Sequence, residues 1–339
     1  MFLVRPADTS DIPALETLAA TATPGVHTLP RTRKSIEKAV ERSKASFASH
    51  PQAPSDETYQ FVLEAPDGSL AGTASISATA GAAGNFFAFR NDALNQVSRD
   101  LDISHSVHAL TLCSDLSSHS QLSGFYLRNR SSAGPESALL SRARLLFAAT
   151  APQRFADKFF ASMSGLTDAG GRSPFWEALG RKFFRMDFLE AERIIEGARN
   201  RTLIVELMPH YPVYVPLLPQ EAQAAMGQVH PDSELPFRIL TEEGFAPDEY
   251  IDIFDGAPVL RAHKHALRSF SASVACSAAA GEPHAETALC LVATLREEGL
   301  RAVLCRCGLH ESSERAALPP EAMRRLGIAE GDSILCVTL

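Results

Sequence analysis

Four prolines at Pro209, Pro212, Pro216 and Pro219 constrain this chain more than any other local feature. Proline has no N–H and a fixed φ, so the run from Met208 to Pro219 must be extended or turned, not helical. It belongs to a longer stretch, Glu206 to Pro258, unusually dense in Pro, His, Tyr and Asp, with Met226-Gly-Gln-Val-His230-Pro and Tyr250-Ile-Asp-Ile-Phe-Asp-Gly256 inside it. Conformationally fixed loops that carry titratable groups are where binding and catalysis concentrate. His230 is the candidate for acid–base work, because imidazole exchanges protons near neutral pH and Gly227 with Pro231 fix its backbone. The alternative is a histidine bonded structurally to a backbone carbonyl. His210, between Pro209 and Tyr211, is a lesser candidate whose neighbours suggest a structural turn.

The rest of the chain bounds the class. At 339 residues it is long enough for a large core and two domains or more. A hydrophobic share of 45% and a charged share of 21% are those of an ordinary soluble protein. The net charge of −8 argues against nucleic acid or an anionic membrane as partner. No apolar run approaches the roughly 18–20 residues of a membrane span, and Met-Phe-Leu-Val-Arg-Pro-Ala-Asp reads as a first strand, not a signal peptide. Six cysteines without framework spacing point to a reducing cytoplasm. Cys305-x-Cys307 near His310 is either a metal half-site or a pair of buried thiols; the second reading is preferred, and no metal is expected.

Several elements are legible. Residues 2–5 form a strand, followed by a helix toward Ala20 capped by the Asp8, Ser10, Asp11 cluster, and by a basic helix from Arg33 to Phe47. Gln60–Glu64 and Leu70–Ile76 form a hairpin around Pro66-Asp-Gly68. His108–Cys113 and Gly124–Leu127 are strands, and Pro135 opens a helix whose Leu139, Ala143, Leu146 and Phe147 share a face. Ser173-Pro174 starts a helix with Phe175, Leu179 and Phe183 along one side. Leu203–Leu207 reads as a strand, Phe237–Gly244 as a helix closed by its glycine, and Tyr250–Phe254 as a terminal strand. Ser269–Pro283 reads as a linker. Short strands at Ala288–Leu295, Ala302–Cys307 and Ser333–Leu339 follow, with a helix from Pro319-Pro320 to Gly327.

The Glu206–Pro258 segment, with most of residues 1–268, resembles the arginine N-succinyltransferase family, most of all the alpha-type subunits of two-subunit arginine/ornithine enzymes. The resemblance implies an α/β (α+β) fold: a GNAT-like acyl-CoA N-acyltransferase domain over residues 1–262 and a small β-barrel-like domain over 263–339, with 263–285 partly linker. It implies transfer of succinyl from succinyl-CoA to the α-amine of arginine, or alternatively ornithine, in arginine catabolism. No permanently bound cofactor is expected. The partner would be a homologous beta-type subunit in a hetero-oligomer, or a second copy in a homo-oligomer.

Carried over residue by residue, the resemblance makes His230 the proton donor and places the succinyl-CoA contact on Phe125, in Ser-Gly-Phe-Tyr-Leu127. The usual pyrophosphate loop is a basic residue followed by x-x-Gly-x-Gly or Ala; here it reads Ser132-Ala-Gly-Pro-Glu-Ser137. Pro135 removes a donor and Glu136 brings negative charge where pyrophosphate would sit. Arg128 and Arg130 upstream either compensate or are solvated. This degenerate loop favours an alternative reading, a structural or regulatory alpha subunit of weak or no activity beside a catalytic beta-type partner. For a guanidinium or ammonium substrate the candidate carboxylates are Asp252, Asp255 and Glu206, while Asn91 and Asp92 are placed in a loop bordering the amine site.

Overall fold

The computed structural model describes residues 1–26, 29–82, 84–197, 202–282, 287–296, 299–309 and 315–339. Strand β1 (Leu3–Pro6) leads through the Asp8 capping box into α1 (Ile12–Thr21) and then α2 (Arg33–Ala48). Arg5 ties this corner together, donating to Asp11 at 2.8 and 2.9 Å and to Glu64 at 2.8 Å. The hairpin β2 (Thr58–Glu64) and β3 (Leu70–Ser77) turns at Gly68, whose φ of +84° suits glycine.

Next come β4 (Ala88–Ser98) and β5 (Ile103–Cys113), paired in register from Ala88↔Cys113 to Ser98↔Ile103. Asn91 and Asp92 therefore lie on a strand, not in a loop: Asp92 accepts from Arg90 and Thr111, and Asn91 meets His108 across the pair at 3.0 Å. The polar alternation of Arg90 to Gln96 disguised a strand whose outer half is solvated on both faces. Strand β6 (Ser120–Leu127) is joined to β7 (Lys158–Ser162) by α3 (Glu136–Thr150), which is buried along almost its whole length.

Four short helices follow, Pro174–Ala178, Gly180–Phe184, Phe188–Gly197 and Thr202–Leu207. Two expectations fail here. The Ser173-capped helix breaks at Leu179 (φ −123°, ψ −74°), so Phe184 is buried and Phe183 stands 42% exposed. The Leu203–Leu207 run is helical: its β-branched residues suggest a strand, but the turn packs Ile204 and Met208 beside Trp176 and Phe188. The two-residue β8 (Val213–Tyr214) is what the prolines leave of extended structure.

The helix Glu234–Glu243 ends at Gly244 (φ +117°), and β9 (Ala246–Ile251) and β10 (Pro258–His263) follow. The terminal strand thus stops at Ile251, and Asp252 to Gly256 is the turn that reverses the chain. Beyond it, β11 (Val274–Ala280) occupies the stretch read as linker. Its Cys276 and Ala278 alternate inward between β15 (Arg315–Leu318) and β16 (Ser333–Thr338), and small side chains made this strand look like a loop. β12 (Leu289–Thr294), β13 (Ala302–Arg306) and β14 (Gly308–Leu309) complete the set.

Among the described residues these strands form one sheet, in the order β14-β15-β11-β16-β12-β13-β1-β2-β3-β6-β7-β10-β9-β4-β5-β8. The C-terminal strands join it through β13 against β1, Leu3 opposite Val303. Only Cys307 separates β13 from β14, so one run of chain borders β12 at one end and β15 at the other. The space inside holds Cys276, Cys290, Cys305, Cys307 and Cys336 among aliphatic side chains. Burial pushes the Cys305 thiol up to about 12. Among the described residues no group of three or more His, Cys, Asp or Glu side chains is arranged so that it could hold a metal ion, and His310 lies outside them. No described helix is long and apolar enough to cross a membrane.

Candidate active site

The sheet opens between β6 and β7. They run parallel but pair only at Ser120↔Phe159 and Gln121↔Phe160. Beyond that, β6 stays with β3 to Leu127 and β7 stays with β10 to Ser162. Gly124 (φ +60°) starts a bulge: the register moves from Ser75↔Ser123 to Thr73↔Tyr126, setting Gly124 and Phe125 opposite Ala74 alone. A bulge re-aims backbone groups away from the ladder, here at the edge of the opening.

Arg144 of α3 fixes that bulge from beneath. Its guanidinium, 2% exposed, donates to Ser75 O at 3.1 Å and Ser123 O at 3.2 Å, and to Ser141 O and Oγ, both at 3.0 Å. It lies 5.8 Å from the Phe125 ring centroid. Burial pulls this guanidinium down to about 9, so it remains charged at neutral pH. Phe125 itself packs against the main core as a half-buried strand residue, with its backbone in the bulge.

On the other side of the opening stands His230. Gly227 (φ +72°) turns the chain, with its N–H on Gly256 O at 2.9 Å. The His230 N–H then bonds Ser164 O at 2.8 Å, just past the end of β7. Pro231 begins a single turn whose Asp232 N–H donates to His230 Nδ1 at 3.1 Å. An Nδ1 that accepts leaves the ring proton of neutral imidazole on Nε2, the atom then able to donate. The neighbouring residues did not separate this histidine from a purely structural one; the family resemblance did, and its partner Asp232, two residues on, was missed.

Asp232 also bridges the opening. Its Oδ2 accepts from Thr23 Oγ1 at 2.8 Å and lies 3.3 Å from Arg130 Nη2. The Arg130 guanidinium lies over the Tyr126 ring at 5.4 Å, and Tyr126 Oη meets Thr21 Oγ1 at 2.9 Å. Ser164 Oγ donates to Val26 O. The 21–26 segment therefore links the β6 rim to the His230 rim. Arg130 is committed to Asp232 rather than solvated, while Arg128 is exposed.

The remaining candidates divide. Asp255 is buried: its oxygens accept from Gly165 N–H at 2.6 Å and Ala257 N–H at 2.9 Å. Burial, with Asp252 adding repulsion, pushes its carboxyl up to about 8. Asp252 accepts from Ser162 Oγ at 2.9 Å and Phe254 N–H at 2.8 Å. Both clamp residues 162–165, the backbone on which His230 leans. Glu206 and His210 are exposed, without a side-chain hydrogen bond to any described residue. At the entry to α3, Gly134 N–H donates to Glu136 Oε1 at 2.8 Å and Ser137 Oγ donates to Gly134 O at 2.7 Å.

Such an opening, with backbone at one rim and a proton carrier at the other, suits attack on a carbonyl held between them. Comparison with known proteins bears on what is carried. Residues 2–269 match the family model described as arginine N-succinyltransferase beta subunit, and 271–338 match that of its C-terminal domain. The chain is 41% identical to the arginine N-succinyltransferase subunit alpha of Pseudomonas aeruginosa, covering all of both chains. It is 33% identical to the beta subunit of the same organism, over 99% of this chain and 98% of the other. The solved structure of arginine/ornithine succinyltransferase subunit AI from Pseudomonas aeruginosa superimposes with a TM-score of 0.90 at 39% identity, covering 100% of this chain and 98% of that one.

Proposed function

Because the chain belongs to the arginine N-succinyltransferase family, we propose that it transfers succinyl from succinyl-CoA to the α-amine of arginine, with ornithine as a second acceptor, in arginine catabolism. The supporting observation is the β6/β7 opening with the Gly124–Phe125 bulge on one rim and His230 on the other. Residues 1–262 act as a GNAT-like acyltransferase domain, in which the splayed parallel pair and its α3 crossover receive the acyl-CoA. Residues 263–339 form a small barrel-like domain, consistent with the strand order that returns to the β13–β14 run. The enzyme works in the cytoplasm, without a resident cofactor, beside a homologous beta-type subunit or a second copy.

In this reading the backbone at Phe125 polarises the thioester carbonyl. The neutral α-amine attacks, the tetrahedral centre collapses, and the C–S bond breaks. His230 Nε2–H supplies the proton to the departing CoA sulfur, and the amine's surplus proton leaves to solvent. The test is thiol release from succinyl-CoA in the presence of arginine. His230→Ala should lower kcat about 10²–10⁴-fold while succinyl-CoA affinity stays within twofold. A variant that keeps its kcat removes His230 from the chemistry.

A further inference from the structure

Opposite charges meet across the β6/β7 opening at Arg130 and Asp232. Arg130 stands in the turn just past β6, over the Tyr126 ring at 5.4 Å. Asp232 stands on the other rim, with its backbone N–H on His230 Nδ1 at 3.1 Å. Their side chains come to 3.3 Å, Nη2 to Oδ2, longer than the roughly 2.7–2.9 Å of a tight charge-assisted bond. The Thr23 hydroxyl sits between them, accepting from Arg130 Nη2 at 3.3 Å and donating to Asp232 Oδ2 at 2.8 Å. The two side chains are 23% and 36% exposed, so solvent reaches both. An ion pair this open and this long adds little to stability, and its charges can be traded for a ligand's at small cost.

The chemistry of the two groups specifies what that ligand carries. A guanidinium takes a carboxylate through paired N–H donors, and a carboxylate takes an ammonium. Side by side they complement the head of an α-amino acid, which bears both charges on one carbon. Their position fits the reaction as well. Tyr126, beneath Arg130, directly follows Phe125, whose backbone lies in the bulge. Asp232 is two residues from His230 and belongs to the turn that His230 caps. A head group seated between them is therefore flanked by the bulge rim on one side and the proton carrier on the other.

Resting on the succinyl-transfer reading above, we propose that Arg130 and Asp232 bind the α-amino-acid head of the acceptor, Arg130 taking the α-carboxylate and Asp232 the α-ammonium. Each charge exchanges its neighbour for the ligand's, and the Thr23 bridge opens. The ammonium then loses its proton to solvent before attack, as in the reaction above. Arginine and ornithine share this head and differ only in the side chain, so a site built on the head admits both.

The probe is argininamide, which keeps the α-amine and the guanidinium but lacks the carboxylate. Thiol release from succinyl-CoA is measured with arginine and with the amide. The amide's less basic amine affects every variant alike, so the arginine-to-amide ratio of kcat/KM is compared between proteins. Arg130→Gln should lower that ratio about tenfold or more, by slowing arginine and sparing the amide. A merely structural role for Arg130 would slow both acceptors together. Asp232→Asn should lower kcat/KM for both acceptors about tenfold and keep the ratio, since both carry the α-ammonium. A ratio unchanged in Arg130→Gln overturns the proposal and leaves succinyl transfer standing. So does an Arg130→Gln effect confined to the KM for succinyl-CoA, which would put the guanidinium on the acyl donor, or an Asp232→Asn variant with unaltered kcat/KM. Where neither acceptor is acylated, arginine is titrated calorimetrically into the full chain in excess CoA. Binding that is lost in Arg130→Gln then sinks the transfer reading and keeps the site; no binding by wild type sinks the site.

Discussion

At the scale of single residues, the site is held by groups that do no chemistry. Asp255 is the clearest. Its carboxyl, buried among Gly165 and Ala257 and pushed up to about 8, binds its proton more tightly folded than unfolded. A raised carboxyl contributes stability that is full below the unfolded value near 4 and is lost as pH rises toward 8. Thermal unfolding across that window should therefore show Tm falling with rising pH. Asp255→Asn should flatten the slope while costing about 1–3 kcal/mol, because its NH2 meets a backbone N–H. A wild-type Tm independent of pH would contradict the assignment. His230 shows what a sequence can and cannot reveal about a residue. Gly227 and Pro231 mark a fixed turn, but the Nδ1 partner is a backbone N–H, and the Ser164 carbonyl it leans on, just past β7, lies sixty-six residues earlier in the chain. Asp252 and Asp255, read as possible guanidinium binders, are turn residues whose acceptors are occupied.

At the scale of elements, the central device is α3 against β6. Arg144 holds the bulge by donating to two carbonyls on separate strands. Arg144→Leu should destabilise the protein by about 2–5 kcal/mol, since it strands those buried carbonyls, and should lower kcat more than it raises KM. Urea unfolding and steady-state kinetics check both; a stable variant with normal kcat would show that the bulge holds itself. Local signals carried the first hairpin, the capped entry to α1, the extent of α2 and α3, and the Gly244 and Gly327 helix ends, because turn glycines and caps act within a few residues. They failed where tertiary context decides. The Ala- and Ser-rich β11 is a strand because β15 and β16 flank it, and Leu203–Leu207 is a helix because Ile204 and Met208 join the buried cluster that holds Trp176. The β6/β7 opening was invisible, since β7 was not read at all, although Gly124 inside an apolar strand is the ordinary mark of a bulge.

At the scale of the molecule, a single sheet carries both the opening and the C-terminal strands, so Leu3 of β1 lies in the cysteine-lined core while Val4 lies in the main one. The β6/β7 edge and the C-terminal strands are thus parts of one hydrogen-bonded sheet, joined through β1 against β13. The α3 entry, with Glu136 seated on Gly134, bears most directly on whether the chain is a complete catalyst. The decisive measurement is mass spectrometry of arginine incubated with succinyl-CoA and this purified chain alone. The account predicts arginine acylated on its α-amine, with the yield per unit time collapsing in His230→Ala. Product that forms only when a beta-type subunit is added, and forms equally well with His230→Ala, would show that this chain supplies the scaffold and its partner the chemistry.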